Sequence, residues 1–508
     1  MMGWAPTSLK HNLLVSWVAH AAALVVGFFL MPYIIKVLGD HAYGTWIMIN
    51  TLASYSGLLY FGFGETLNRY LARYHALNDI ANMNRLMTTI MGFYCLMAGC
   101  LLFLALCLAL YLPYVMDLEH IAPQELSLTI MVIALTLAVS MIGSVYGGVL
   151  MGLRRFDLER LVGFLSDFLR IGLVVTCLKP DLGLIRLALI FLVITLFENA
   201  GFFYLAHKKL PSLKISTDSW DPAMLRALFS YSSMSFINSL AYQLINASDA
   251  LVIGFFLGPQ AVVPYYVALR LGSFIKQPIE RIAVICLPAA GALSADPHSR
   301  SLKWLLIRSM GLTWLLSIGA FVGSCYFGND VIKLWMGVHY IQSYPLLIIL
   351  MLTQCVTLAG GIMRAILFGQ GHTHRTALFF LGEAILKLMF MTVGCRLFGV
   401  IGAAWGGCIA ALIAELFGLI PYGLNQMNIT FTEFISAVLQ PLLLPMFVLW
   451  IYCVTVKRFL PHVDNWPGLL AISLAGGALV MTTHWAWQQL IEGNKERSWM
   501  LRRYTTTS

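Results

Sequence analysis

Arg170, Arg270, Lys276, Arg281, Arg308, Arg364 and Lys387 stand inside long apolar runs or at their margins. Fixed cations in apolar surroundings are suited to holding an anion. A guanidinium presents a planar fork of donors that matches phosphate oxygens, and a lysine adds a compact point charge. A second set of polar residues shares one helical face. At 100° per residue, Ser232, Ser235, Ser239, Tyr242, Gln243, Asn246 and Asp249 fall within about a third of the circumference. Such a stripe cannot face hydrocarbon, where unpaired polar groups are costly. It faces either a neighbouring helix, as hydrogen-bonding glue, or a wet cavity. Asp249 puts a charge at its end. Glu198 and Glu415 are two further embedded carboxylates, and with Asp249 they are the candidates for ion coupling. Glu198 and Glu415 read equally as packing groups.

Some of these charges have partners within reach on their own helix. Lys276 and Glu280 are four residues apart, and the pairs Asp167/Arg170 and Glu383/Lys387 have i,i+3 and i,i+4 spacing, where opposite charges neutralise one another. A charge at a bilayer centre costs about 2.5–3.5 kcal/mol on insertion scales, so such pairing has a purpose. Arg364, near the end of its run, either snorkels to the interface or lines a cavity. Arg270, with Gln277 and Arg281 on one stripe and no evident partner within its own helix, is expected to line the cavity. Pro278 should kink that helix.

The elements that must position these groups are membrane helices. Of 508 residues, 59% are hydrophobic and only 11% charged, against roughly a quarter charged in a soluble domain. A span needs about 20 apolar residues. By that measure there are fourteen: roughly 13–38, 43–64, 86–112, 126–151, 160–178, 183–206, 229–257, 262–290, 304–327, 341–368, 375–398, 400–424, 434–456 and 467–490. The first run is too long for a signal-peptide core and is expected to stay as an anchor. With both termini on the cytoplasmic side, 18 loop and terminal basic residues fall inside and 7 outside, which satisfies the positive-inside rule. The net charge of +9 is thereby assigned to loops facing anionic lipid, and no nucleic-acid partner is expected.

The chain repeats itself. Gly39 matches Gly258, Met151-Gly152 matches Phe368-Gly369, Asp167 matches Glu383, and Glu198 matches Glu415, at offsets of 216 to 219. Coincidences at one spacing argue for duplication. Six spans per copy leave both copies crossing in the same sense, as in parallel-repeat transporters. The expected organisation is all-α: a six-helix lobe over 1–207, a cytoplasmic linker over 208–226, a second six-helix lobe over 227–425, a peripheral helix pair over 426–491 and a basic cytoplasmic tail over 492–508.

Several chemistries lack their residues. No G-x-x-x-x-G-K-[ST] occurs, so there is no P-loop of its own. The ten cysteines lie in or beside apolar runs without a C-x-x-C pair. His20, His372 and His374 are too few for a metal site. Neither cofactor nor metal is expected. The outward loops around 113–124 and 328–341 are short for an enzyme of surface-glycan assembly, so no catalytic residue is assigned.

Leu38-Gly39-Asp40-His41-Ala42-Tyr43-Gly44-Thr45-Trp46, then Gly62-Phe63-Gly64 with Arg69-Tyr70, and in the second half Asp249 to Gly258, together resemble the polysaccharide exporters of the multidrug/oligosaccharidyl-lipid/polysaccharide superfamily, specifically Wzx-type flippases. The likeness covers spans one to twelve. It implies two lobes around a central cavity and alternating access. The implied cargo is a polyprenyl-pyrophosphate-linked oligosaccharide (an O-antigen, capsule or exopolysaccharide unit) turned to the outer leaflet of a bacterial inner membrane. A glycan polymerase and glycosyltransferases are the implied partners, and the protein is expected to be a monomer. Arg270, Lys276, Arg364, Lys387 and Arg170 would form the cationic floor, and Ser235, Ser239, Gln243, Asn246 and Asp249 the polar wall. Drug or cation antiporters and lipid II flippases of the same superfamily are the alternatives. The lipid II branch typically carries arginines on its first two helices, whereas here the first span has none.

Overall fold

A computed structural model describes residues 9–115, 122–153, 155–179, 183–216, 219–294 and 300–505. Among these residues no strand occurs, as lipid requires of a chain that must satisfy its own backbone within each segment. The helices are α1 (Leu9–Ser54), α2 (Phe63–Ala76), α3 (Ile80–Val115), α4 (Pro123–Gly152), α5 (Phe156–Cys177), α6 (Gly183–Lys209), α7 (Pro222–Leu257), α8 (Pro259–Leu293), α9 (Arg300–Met336), α10 (Tyr344–Gly369), α11 (Thr373–Leu412), α12 (Ile420–Gln426), α13 (Phe431–Phe434), α14 (Gln440–Phe459) and α15 (Trp466–Thr505). Two of them contain a reversal, at Gly39 in α1 and Gly399 in α11. A π-turn over Ile413–Leu419 joins α11 to α12, and another over Ile435–Leu439 joins α13 to α14. Counting each side of the reversals, the described residues supply the fourteen spans. Nine helical stretches among them are long and apolar enough to cross a bilayer. The charge-bearing α5 and α8 are not among the nine. α8 runs unbroken through Pro264, Pro278 and Pro288.

Gly39 and Gly258 make the same turn. Their φ/ψ values are 76°/166° and 86°/165°, a region essentially closed to residues with a Cβ. The helix ends after α4 and α10 also match. Leu153 N bonds to Val149 O and Arg155 N to Leu150 O; 217 residues on, Gln370 N bonds to Ile366 O and His372 N to Leu367 O. The duplication read from residue types therefore extends to individual backbone hydrogen bonds.

The second span ends differently from its apolar run. After Ser54 the helix tightens to a 3₁₀ segment, Tyr55–Tyr60, and Phe61 adopts a left-handed φ of 49°. The rings of Phe63, Phe93, Phe229 and Phe236 surround Phe61 at centroid distances of 5.1–6.3 Å and hold it there. The chain then enters α2, an amphipathic helix that buries Phe63, Leu67 and Leu71 and exposes Arg69 and Arg73.

The chain divides into two compact units, Met1–Val263 and Pro264–Ser508. In the first, the segment after α6 lies along α3. Asn84 Nδ2 donates to Ser212 O at 3.2 Å, and its Oδ1 accepts from Lys214 N at 3.0 Å. Thr88 and Thr89 hydroxyls accept from Ser216 N and Asp221 N. Trp220 seats on Gly92, where any Cβ would fall 2.4 Å from its ring. Asp221 then caps α7, accepting from Ala223 N and Met224 N. A polar stretch read as a linker is thus a fastened strap. Further along, α7 and the α7–α8 turn press on the second half of α1: a Cβ on Gly44 would meet the Pro259 carbonyl oxygen at 2.0 Å, and one on Gly254 the Met48 sulfur at 2.3 Å. In the second unit, Lys457 on α14 reaches Asp330 on α9 at 2.6 Å, and Leu449 and Cys453 join the core formed with α8–α10.

Candidate functional site

In the second unit three charged side chains from different helices meet. α10 contributes Arg364, α11 contributes Glu383, and the π-turn contributes Glu415. Arg364 Nη1 lies 2.6 Å from Glu415 Oε1 and 3.4 Å from Glu383 Oε2, and its guanidinium covers the Phe380 ring at 4.5 Å. Glu415 is fully buried, Glu383 is 4% exposed and Arg364 14%. Gly360, one turn before Arg364, makes the approach possible, because a Cβ there would lie 1.8 Å from Glu415 Oε2. π-turns inside α-helices occur frequently at functional sites. Glu383 also lines a groove of about 550 Å³ that includes Arg375, Phe379, Phe417 and Tyr422.

This geometry changes the expectation for Arg364. Its charge is engaged by two carboxylates. The reason lies on neighbouring helices, where spacing along α10 could not reveal it. Glu415 is likewise an ion-pair partner in its own unit. Its repeat counterpart by geometry is Asn199, not Glu198. A Cβ on Gly143 would meet Asn199 Oδ1 at 1.9 Å, just as one on Gly360 would meet Glu415. Sequence reading missed Glu383 as the partner of Arg364 and missed Gly360 altogether. The one available signal was the 217-residue match of Gly143 with Gly360.

The other embedded cations are placed individually. Lys276 pairs with Glu280 at 3.2 Å across one turn of α8. Arg270, half-buried on the same helix, lies over the Phe274 ring at 5.2 Å. Arg281 is exposed, as is Arg308, which lies over Trp304 at 4.9 Å. Lys387 is half-buried on α11 with its Cε near Gly407. In the first unit Arg170 pairs with Asp167 at 2.8 Å and covers Phe191, and half-buried Glu198 lies within electrostatic reach of both charges.

The polar stripe of α7 divides. Gln243 donates to the Ser54 hydroxyl on α1, and Asp249 is buried near Tyr55. Tyr242 and Asn246 are exposed, and Ser239 is half-buried. The side chains of Ser232 and Ser235 lie outside the described residues, as do those of His20 and the basic tail. Part of the stripe is therefore helix–helix glue and part is exposed, where Asn246 Nδ2 donates to Tyr242 O at 2.9 Å.

Ionised groups also order the turns between spans. Arg155 donates from Nε and Nη2 to both oxygens of Asp157 at 2.9 and 2.8 Å. That fork holds the Asp157 carboxyl below its ordinary value. Asp79, which accepts from the backbone and side chain of Asn82, is held down in the same way.

Residues 9–294 match the family described as polysaccharide biosynthesis protein. Two proteins of Haloferax volcanii are similar. "Probable low-salt glycan biosynthesis flippase Agl15" is 26% identical over 196 residues, 38% of this chain and 41% of that one. "Probable flippase AglR" is 25% identical over 268 residues, 52% of each. The chain thus spans about half the length of these relatives or less. Among solved structures, the lipid II flippase MurJ in an inward closed conformation gives a TM-score of 0.71 at 13% identity, covering 96% of this chain and 99% of that one. An inward-facing multidrug resistance MATE transporter gives 0.63 at 15%, covering 84% and 96%. At these identities the likeness is one of fold.

Proposed function

The chain belongs to the polysaccharide biosynthesis protein family, and from that premise we propose that it is a flippase for a polyprenyl-pyrophosphate-linked oligosaccharide. The observation carrying this reading is the family match together with two similar proteins described as probable flippases, one of them of low-salt glycan biosynthesis. A pyrophosphate and sugar headgroup cannot cross hydrocarbon without polar surroundings. Arg270 and Lys387 remain the proposed phosphate-facing groups, joined by Lys276 and Arg170, each of which is part-exposed and faces a single carboxylate, whereas Arg364 is held between two. Tyr242 and Asn246, exposed on α7, supply hydroxyl and amide partners suited to a glycan. The prenyl tail stays in lipid while the two lobes alternate in access. The protein is placed in the cytoplasmic membrane with its basic loops inside, working with glycosyltransferases that build the cargo and a polymerase that uses it. It is read as a carrier, not an enzyme.

The cellular test is a deletion strain complemented with wild type or Arg270→Gln at equal protein level. Loss of surface glycan on deletion, restoration by wild type and weak restoration by the variant are expected. Normal surface glycan in the deletion strain, with drug sensitivity instead, would favour the antiporter branch.

A further inference from the structure

The Arg364, Glu383 and Glu415 cluster has one positive group against two negative ones. It lies where water scarcely reaches, since Glu415 is fully buried and Glu383 only 4% exposed. Two carboxylates around one counter-charge do not both stay ionised readily in such a place. The hydrogen bonds point the same way. Glu415 Oε2 has no donor among the described residues; beside it stands Gly360, which contributes no side-chain donor. An acceptor left bare in a buried site is costly. Glu383 is within hydrogen-bonding reach of Glu415, so a hydrogen between them would satisfy the deficit. The first unit supplies a comparison. In the equivalent slot, Asn199 faces Gly143 with a neutral amide, the shape and polarity of a protonated carboxyl.

We propose that Glu415 and Glu383 share a binding site for a single proton, oriented by Arg364. The charged and titratable groups around it are Arg364 on α10, Glu383, Lys387 and Arg375 on α11, and Tyr422 on α12. Lys387 lies one turn beyond Glu383 on α11, and Arg364 touches both carboxyls. Glu383, 4% exposed on the wall of the groove bordered by Arg375 and Tyr422, is the carboxyl through which the proton enters and leaves. Loading neutralises Glu415 beside Gly360. Release restores its charge and tightens the Arg364–Glu415 pair that ties α10 to the π-turn. Nothing is oxidised or reduced, and the proton leaves to groove water. A role for this cycle in transport rests on the flippase reading above; the site itself does not.

Two measurements test it on the full-length protein in lipid. Infrared difference titration should show a carboxylic C=O band at neutral pH that is absent in Glu415→Gln and in the Glu383→Gln/Glu415→Gln double variant, and retained in Lys387→Met. Glu415→Gln should fold with an unchanged Tm, and the double variant keeps the assignment testable if it does not. No band in wild type at neutral pH, or one that persists in the double variant, overturns the site. In proteoliposomes, the wild-type rate of polyprenyl-pyrophosphate-oligosaccharide transfer should differ between about pH 6 and pH 8, a range in which buried carboxyls titrate, and the ratio should fall to about 1 in Glu415→Gln. A ratio unchanged by that substitution removes the site from transport. The infrared result needs no cargo, so its failure is distinct from failure of the flippase reading.

Discussion

At the scale of single residues, the ion cluster gives an ordered set of costs. Arg364→Leu leaves the proton-sharing carboxyl pair, with its remaining negative charge, buried without a counter-charge, and breaking a buried pair from one side typically costs about 3–5 kcal/mol. Removing the cation should therefore lower Tm far more than Glu415→Gln, which exchanges one carboxyl for an amide. Equal losses would mean the two carboxylates are independent of Arg364. The half-buried fork at Arg155 and Asp157 is a smaller matter. Asp157→Asn should cost up to about 1 kcal/mol at neutral pH, as surface pairs do. Because the folded-state carboxyl titrates below its ordinary 3.8, the stabilisation is present above that value and disappears as pH falls through the folded one. Thermal unfolding of wild type and variant should converge in acid; a gap that persists there would contradict the assignment.

At the scale of elements, glycines separate into two kinds. Gly39 and Gly258 have open space around a Cβ, so alanine there meets only backbone strain, of order 1–3 kcal/mol. Gly44 is helical, and its alanine runs into the Pro259 carbonyl. Gly44→Ala should destabilise by about 1–3 kcal/mol through overpacking, whereas Gly57→Ala, in open space, should be silent. Matching effects at positions 44 and 57 would contradict the packing of α1 on the α7–α8 turn. The strap over α3 is tested by proteolysis. Trypsin should cut slowly at Lys214 in wild type and rapidly in Asn84→Ala/Thr88→Val/Thr89→Val, and equal rates would show that those bonds do not hold the segment.

These elements also show what residue order reveals. The hairpin glycines were legible because a turn glycine between two apolar runs is a local signal, and its repetition at a fixed offset strengthens it. The strap was not legible, because its bonds join side chains of α3 to backbone about 130 residues away, and a polar stretch reads the same whether free or fastened. Own-helix spacing pointed to Lys276–Glu280 and Asp167–Arg170, both present as ion pairs. It could not find the partners of Arg364, which come from two other helices. The α7 stripe shows the same limit: periodicity placed its residues on one face, but only packing separates Gln243, bonded to α1, from exposed Tyr242 and Asn246.

At the scale of the whole molecule, composition demanded a multi-span helical protein, and the duplication sets its plan. The repeat is kept in backbone detail at the ends of α4 and α10 and in the glycine-to-polar contacts of both units, where Gly143 faces the neutral amide of Asn199 and Gly360 the carboxyl of Glu415. The claim on which the account depends is leaflet transfer itself. The most direct measurement is reconstitution of the purified protein into vesicles carrying a fluorescent polyprenyl-pyrophosphate-linked oligosaccharide, with headgroup exposure read by an impermeant quencher. Protein-dependent movement of the headgroup between leaflets, absent from protein-free vesicles and slowed in Arg270→Gln, is the predicted result. Headgroup distribution identical with and without the folded protein would contradict it.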